Sequence, residues 1–301
     1  MTSNRTFREK LSGSAADTGS IACMGIDPVL EALPSPELSS SSRVLFFFRQ
    51  IFEKMLEERV FPGAFKPNIG FFHCMDRPFQ QEYEGTYALH ALLSLIHEIF
   101  PHIPVILDMK RGDIARSSAN YAEEAFAGWK ADAVTISPYM GGDSVGPFIR
   151  EASKTGGGVY ILNRTSNPGA EELQNLKLAD GNPLYMHVAH RIADWGKEGP
   201  DGSVGAVVGA TNLSELRELA RFYAPAGAPL LIPGVGGQGG SASDTIDILR
   251  SSGYPLEMIR VNSSSGLTHP WLKKGQPAPE DFAARVTDNL KNLNQELNNE
   301  K

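Results

Sequence analysis

The amino-acid sequence predicts an α/β protein built as one (β/α)8 TIM barrel in a single domain. Three observations lead there. Short apolar runs alternate with segments of helical periodicity about eight times along 301 residues, which implies a mainly parallel sheet covered on both faces. Eight such units in this length favour a closed barrel over an open doubly wound sheet. No shift in composition marks a second domain, and the first strand–helix join, Asp27-Pro28, lacks the G-x-G-x-x-G fingerprint of a dinucleotide fold.

Residues 1–19 are expected to form a polar N-terminal segment with a short helix at 5–12, and residues 20–301 the barrel. The first strand, 20–27, ends in Asp27 and is stopped by Pro28. A helix over 44–60 can gather Phe47, Ile51, Met55 and Leu56 on one broad face. The second strand, 64–68, carries Lys66. An aromatic excursion at 69–82 leads to a helix over 83–100, closed by Pro101 and Pro104. The third strand starts at Pro104 and runs into Asp108-Met109-Lys110-Arg111-Gly112-Asp113-Ile114, and a helix over 115–128 follows. Strand four at 131–137 precedes a helix over 143–154. Strand five at 158–162 opens into a long polar loop, 163–181, before a helix over 183–195. Strand six at 204–209 leads to a helix over 213–223 capped by Asn212, and strand seven at 229–233 leads to a glycine-rich run, 234–240. A helix over 243–252 precedes strand eight at 256–261, which Asn262-Ser263-Ser264-Ser265-Gly266 closes. The last helix spans 279–298.

Composition narrows the function. A net charge of −7 with no Lys/Arg-rich block argues against nucleic-acid binding. Two cysteines, Cys23 and Cys74, make no disulfide framework. No apolar run reaches membrane-spanning length, and residues 1–19 lack the apolar core of a signal peptide, so a cytoplasmic protein is expected. His187 and His190 stand three apart on a helix, but no third ligand accompanies them at a familiar metal spacing.

The third strand carries the chemistry. Side chains two apart on a strand share a face, so Asp108 and Lys110 point together and Met109 points away. A strand interior is a costly place for two charges. Taken alone, the stretch is either a structural ion pair with Asp113 capping the next helix or part of a site. The barrel decides between them, because C-terminal strand ends gather at one mouth. Asp27, Lys66, Asp108, Lys110, Ser166, Asn167, Gln238 and Ser263 to Ser265 would converge there. Glycines 234, 236, 237, 239 and 240 follow strand seven, where barrels of this class bind phosphate. They would allow backbone N–H groups to face an anion at the start of the helix near Ser243.

These residues resemble a known family, the orotidine 5′-phosphate decarboxylases of the longer bacterial type (type 2). The likeness rests on Asp108-x-Lys110-Arg111-Gly112-Asp113-Ile114 with Ser117 beyond, on Phe65-Lys66-Pro67-Asn68, on Thr135 to Asp143, on Arg164-Thr165-Ser166-Asn167-Pro168-Gly169 and on Pro233 to Gly240. It implies conversion of orotidine 5′-phosphate to UMP and carbon dioxide, the last step of de novo UMP synthesis, with no metal and no organic cofactor. It implies that Lys66, Asp108, Lys110 and Asp113 form an alternating charge array in which Lys110 delivers a proton to pyrimidine C6. Asp108 would crowd the substrate carboxylate. Lys66 would orient Asp108 and, with Asp27, bind ribose. Ser166 would meet the pyrimidine edge. Gln238, Gly239, Ser264 and Ser265 would surround the phosphate. Asp113, Ile114 and Ser117 would reach into a partner's site, which implies a homodimer.

One position departs from the pattern. The family usually places Arg where Ser265 stands, and a Ser offers one neutral hydrogen bond in place of a bidentate cation. The expectation is that backbone N–H groups and a relocated cation, Arg260 or Arg164, substitute. Two rival readings remain: a metal-dependent sugar-phosphate decarboxylase or aldolase of the same superfamily, and an inactive nucleotide-binding barrel. The tripeptide Arg111-Gly112-Asp113 is also an integrin-type adhesion motif, but it follows a buried strand.

Overall fold

The computed structural model describes residues 5–236 and 239–298, and these form eight parallel strands in the order β2-β1-β8-β7-β6-β5-β4-β3. The strands are β1 (Ala22–Ile26), β2 (Ala64–Pro67), β3 (Ile106–Arg111), β4 (Ala133–Ile136), β5 (Gly158–Arg164), β6 (Val204–Val208), β7 (Leu230–Ile232) and β8 (Ile259–Ser263). Isolated parallel bridges, Phe65 to Val105 and Asn68 to Asp108, join the β2 and β3 edges and bring the sheet round into a barrel. The helices are α1 (Phe7–Thr18), α2 (Ser40–Glu58), α3 (Ile69–His73), α4 (Glu84–Ile99), α5 (Ala115–Glu123), α6 (Gly142–Thr155), α7 (Ala170–Gln174), α8 (Leu184–Gly196), α9 (Leu213–Tyr223), α10 (Ala242–Ser251), α11 (Ser265–Thr268) and α12 (Phe282–Asn298).

Several boundaries differ from expectation for physical reasons. The N-terminal helix extends to Thr18, held at its start by a capping box between Thr6 and Glu9. It is no detached polar tail, because Phe7 and Leu11 are buried against Cys23, Ala64, Ile106, Ala133, Tyr160 and Met258 and plug the barrel's N-terminal end. Leu56 faces solvent while Phe47, Ile51 and Met55 are buried, so the α2 face is narrower than its pattern suggested. The polar loop after strand five contains α7, tied down where Thr165 N donates to Gln174 Oε1 at 2.9 Å. Strand eight begins at Ile259, since Leu256–Met258 form a 3-10 turn.

Inward-facing residues form two layers along the barrel axis. The lower layer is the apolar plug and its surroundings. The upper layer is polar, with Lys66, Asp108, Thr135, Asn262 and Ser264 lining one cavity together with Asp27 and Lys110. Strand alternation accounts for this: Ala64 and Lys66, Ile106 and Asp108, and Ala133 and Thr135 are pairs two apart, one residue in each layer. No helix among the described residues is long and apolar enough to cross a membrane.

Candidate active site

The cavity at the C-terminal mouth has a volume of about 530 Å³, ample for a nucleotide-sized ligand. Its floor is Leu162, Val207 and Leu231, and charged groups stand along one wall. Lys66 Nζ lies 2.8 Å from Asp108 Oδ2, and Lys110 Nζ lies 2.6 Å from Asp108 Oδ1. Lys66 and Asp108 are buried, at 4% and 5% exposure, while Lys110 extends into the opening. Burial alone would raise the Asp108 pKa, but Lys66 and Lys110 together outweigh it and hold the carboxyl well below the usual carboxylate range. Burial likewise opposes the charge on Lys66, and the attraction of Asp108 and Asp27 overcomes it, so its pKa is raised. The array therefore carries fixed charge of alternating sign.

Thr135 completes that wall, and its role went unread in the sequence. Its hydroxyl donates to Asp108 Oδ1 at 2.7 Å and accepts from the Lys110 backbone N–H at 3.0 Å. One side chain thus fixes both a carboxylate oxygen and the backbone beneath Lys110. That backbone is strained, with Lys110 at φ 48° in the left-handed region, a conformation worth about 1–3 kcal/mol of strain for a non-glycine residue. Alternation along β4 was the available signal, because Thr135 lies two residues beyond buried Ala133.

The other wall belongs to β1 and β8. Asp27 Oδ1 and Asn262 Oδ1 are buried with no hydrogen-bond partner among the described residues. Ser264 sits against Gly25 so closely that a Cβ at position 25 would fall 1.9 Å from Ser264 Oγ, and only glycine admits this packing. His269, also missed, is buried beside the same opening, with Nδ1 2.8 Å from Thr268 Oγ1. Burial lowers its pKa and Asp27 partly opposes this.

The remaining expected residues divide. Ser166 lines the cavity, and its carbonyl accepts from Thr211 Oγ1 at 3.1 Å. Ser264 and Ser265 line the adjoining opening toward Gly234 and Val235. Gly239 is exposed on the glycine-rich run, and Gln238 lies outside the described residues. Among the described residues of the run, three amides are not free to form a cradle. Gly236 N donates to Gly240 O, Gly239 N to Gly236 O and Gly240 N to Gly234 O, so these amides are already used. Asp113 does not join the array within one chain. Its Oδ1 accepts from Ile114 N at 2.7 Å, and Ile114 and Ser117 face outward. Nor does Asp113 cap the next helix, whose N-cap position is Ile114.

Neither arginine expected to replace the missing cation is available. Arg164 is buried against Glu215, Nε to Oε2 2.7 Å. Arg260 is fully buried at the opposite end of the barrel and donates to the carbonyls of Leu11, Gly63, Glu257 and Ile259. Arg111 packs over the Tyr121 ring at 4.7 Å, so its tripeptide is no display loop. His190 packs edge-on against Phe222, 4.7 Å between ring centroids.

The sequence matches the family described as orotidine 5′-phosphate decarboxylase / HUMPS over residues 78–249. It is 39% identical over 264 residues to an orotidine 5′-phosphate decarboxylase of Janthinobacterium sp. (strain Marseille), covering 88% of this chain and 90% of that one. The chain belongs to the orotidine 5′-phosphate decarboxylase family. Similarity to the Delftia acidovorans enzyme of that name is 38% over 282 residues, 93% of each chain. The family likeness extends to the fold: the structure of Leishmania donovani OMP decarboxylase superimposes with a TM-score of 0.70 at 31% identity, covering 97% of this chain and 98% of that one. These matches cover more of the chain than the family segment at residues 78–249.

Proposed function

We propose that this protein decarboxylates orotidine 5′-phosphate to UMP, using the Lys66–Asp108–Lys110 array without metal or cofactor. The observation that carries the reading is that array, hydrogen-bonded on the inner face of a nucleotide-sized cavity with Lys66 and Asp108 buried and Lys110 reaching into the opening, in a chain of this family. Loss of carbon dioxide from the pyrimidine leaves a vinyl-type carbanion with no conjugated sink. The enzyme must then supply on the order of 20 kcal/mol. Fixed charges in a site shielded from water are the strongest means available. The C6–carboxylate bond breaks, its electron pair stays on C6, and Lys110 Nζ gives a proton to that carbon. Negative charge thereby moves from a carboxylate beside Asp108 to a carbon beside Lys110. Repulsion falls as attraction rises, which stabilises the transition state over the ground state.

In this reading Asp27 and Lys66 hold the ribose and Ser166 the pyrimidine edge. Ser264, Ser265 and Gln238 take the phosphate, and Gly239, whose own N–H is held by Gly236 O, shapes the run beside it. Ser265 and Gly266 line the adjoining opening, and their amides donate to no backbone carbonyl among the described residues. Two copies pair so that Asp113, Ile114 and Ser117 enter the partner's site. The exposed apolar side chains Ile114, Tyr139 and Met140 support this, since Met140 lies beside Gly112 on the same flank. Two cysteines without a disulfide suit a reducing cytoplasm. The test is direct: purified protein and orotidine 5′-phosphate should yield equimolar UMP and carbon dioxide, with undiminished rate after chelator treatment. Absent turnover, or turnover that needs a divalent metal, would contradict the reading.

A further inference from the structure

Thr165, Ser166 and Asn167 follow β5 and all line the cavity. Thr165 and Asn167, on either side of Ser166, are joined by one relay of hydrogen bonds that begins at Gln174 of α7. The Thr165 backbone N–H can only donate, so Gln174 presents Oε1 to it, at 2.9 Å. That leaves Gln174 Nε2 to donate to Thr165 Oγ1, also at 2.9 Å. An amide nitrogen accepts nothing, so the Thr165 hydroxyl gives its own hydrogen to Asn167 Oδ1, at 2.7 Å. The relay therefore runs in one direction and brackets Ser166.

Two further contacts close in on the same residue. The Ser166 carbonyl accepts from Thr211 Oγ1 at 3.1 Å. A Cβ at position 209 would fall 2.8 Å from Ser166 Cα, so the glycine there lets the two segments approach. These contacts hold the backbone of Ser166 and leave its hydroxyl unused. Gln174 is itself anchored. The next residue, Asn175, donates to Glu215 Oε1 of α9 at 2.9 Å, and Glu215 is paired with buried Arg164. Gln174 thus stands as a fixed post beside the cavity, which it also lines. A hydroxyl that reads the edge of a planar base must be held to within about 0.5 Å. We propose that Gln174 is a positioning residue for base recognition: through Thr165 and Asn167 it fixes where the Ser166 hydroxyl meets the pyrimidine edge. Its effect falls on the base end of the ligand and spares the ribose and phosphate ends, which other strands hold. This inference rests on the nucleotide reading above and refines it.

The test compares a ligand that carries the base with one that lacks it. UMP is titrated calorimetrically into the full-length protein, and ribose 5-phosphate is measured as an inhibitor of orotidine 5′-phosphate decarboxylation. Gln174→Met keeps the length of the side chain and removes the relay. It should weaken UMP binding and raise KM by about tenfold, the effect of roughly one lost hydrogen bond at the base. The kcat should change less than KM, as when binding common to substrate and transition state is lost. Inhibition by ribose 5-phosphate should stay within about twofold of wild type. Thr165→Val keeps the backbone bond to Gln174 and breaks only the hydroxyl relay, so it should show the same base-selective loss to a smaller degree. In a Ser166→Ala background, Gln174→Met should cost less than about twofold more, because the two act through one contact. Equal weakening of UMP and ribose 5-phosphate would reduce Gln174 to a structural role and overturn the proposal. So would losses from Gln174→Met and Ser166→Ala that multiply. If Ser166→Ala binds UMP as tightly as an active wild type, this inference fails while the decarboxylase reading stands. If the wild type neither turns over orotidine 5′-phosphate nor binds UMP, that reading fails and the inference with it.

Discussion

Asp108 illustrates how a costly residue is held in place. Three donors converge on its carboxylate, and removing one leaves the others facing a partly compensated charge. Thr135→Val should therefore lower kcat/KM by roughly tenfold to a hundredfold, with about 1–3 kcal/mol of lost stability. Thr135→Ser should restore most of both, as steady-state kinetics and thermal melts would show. The array also dictates a pH dependence. The Asp108 pKa is depressed in the folded state, so its contribution to stability is present above the ordinary carboxylate pKa and is lost as pH falls through the folded value. The Lys66 pKa is raised, so its contribution is present below the ordinary lysine pKa and is lost only as pH climbs through the higher folded value. The Tm gap between wild type and Asp108→Asn should stay level from mildly acidic to mildly alkaline pH and narrow in strong acid. A gap that changed near neutrality would mean that another group governs it.

Among the elements, the inward faces of β2 and β3 were legible because alternation with a period of two needs only local sequence. Asp108 and Lys110 came from that rule, Lys66 from its place at the end of strand two, and Thr135 was equally within the rule's reach. β8 was harder. The apolar stretch before it forms a 3-10 turn, so Asn262 was taken for a closing loop when it is an inward strand residue. Arg260 misled for a different reason: the four carbonyls that satisfy it come partly from Leu11 and Gly63, far away in the chain. A fully buried guanidinium is explained only by such partners. Arg260→Met should thus strip those carbonyls of their donor and lower Tm, at a cost of about 3–5 kcal/mol. KM for the substrate should hardly change in protein that remains folded. A raised KM at unchanged Tm would instead mark Arg260 as the phosphate cation. The helix α1 belongs to the same end of the barrel, and its aromatic contact between Phe7 and Tyr160, 5.7 Å between centroids, makes it part of the core.

For the whole molecule, the barrel gathers into one mouth residues that are distant in sequence, while Asp113 is held apart from the array of its own chain. If two copies share their sites, inactive subunits should complement one another. Mixing Lys110→Ala with Asp113→Ala protein should restore roughly a quarter of wild-type activity, because half of randomly paired dimers contain one intact site of two. No recovery after subunit exchange would place Asp113 outside the partner's site. Lys110 is the proposed proton donor of a charge array that acts on orotidine 5′-phosphate. Its most direct test compares wild type with Lys110→Ala by absorbance-monitored decarboxylation and by UMP affinity. The variant should lose turnover by at least about 10³-fold, as expected for a group that is both general acid and electrostatic partner, while UMP affinity stays within a few-fold of wild type. Comparable turnover by Lys110→Ala would mean that another group delivers the proton.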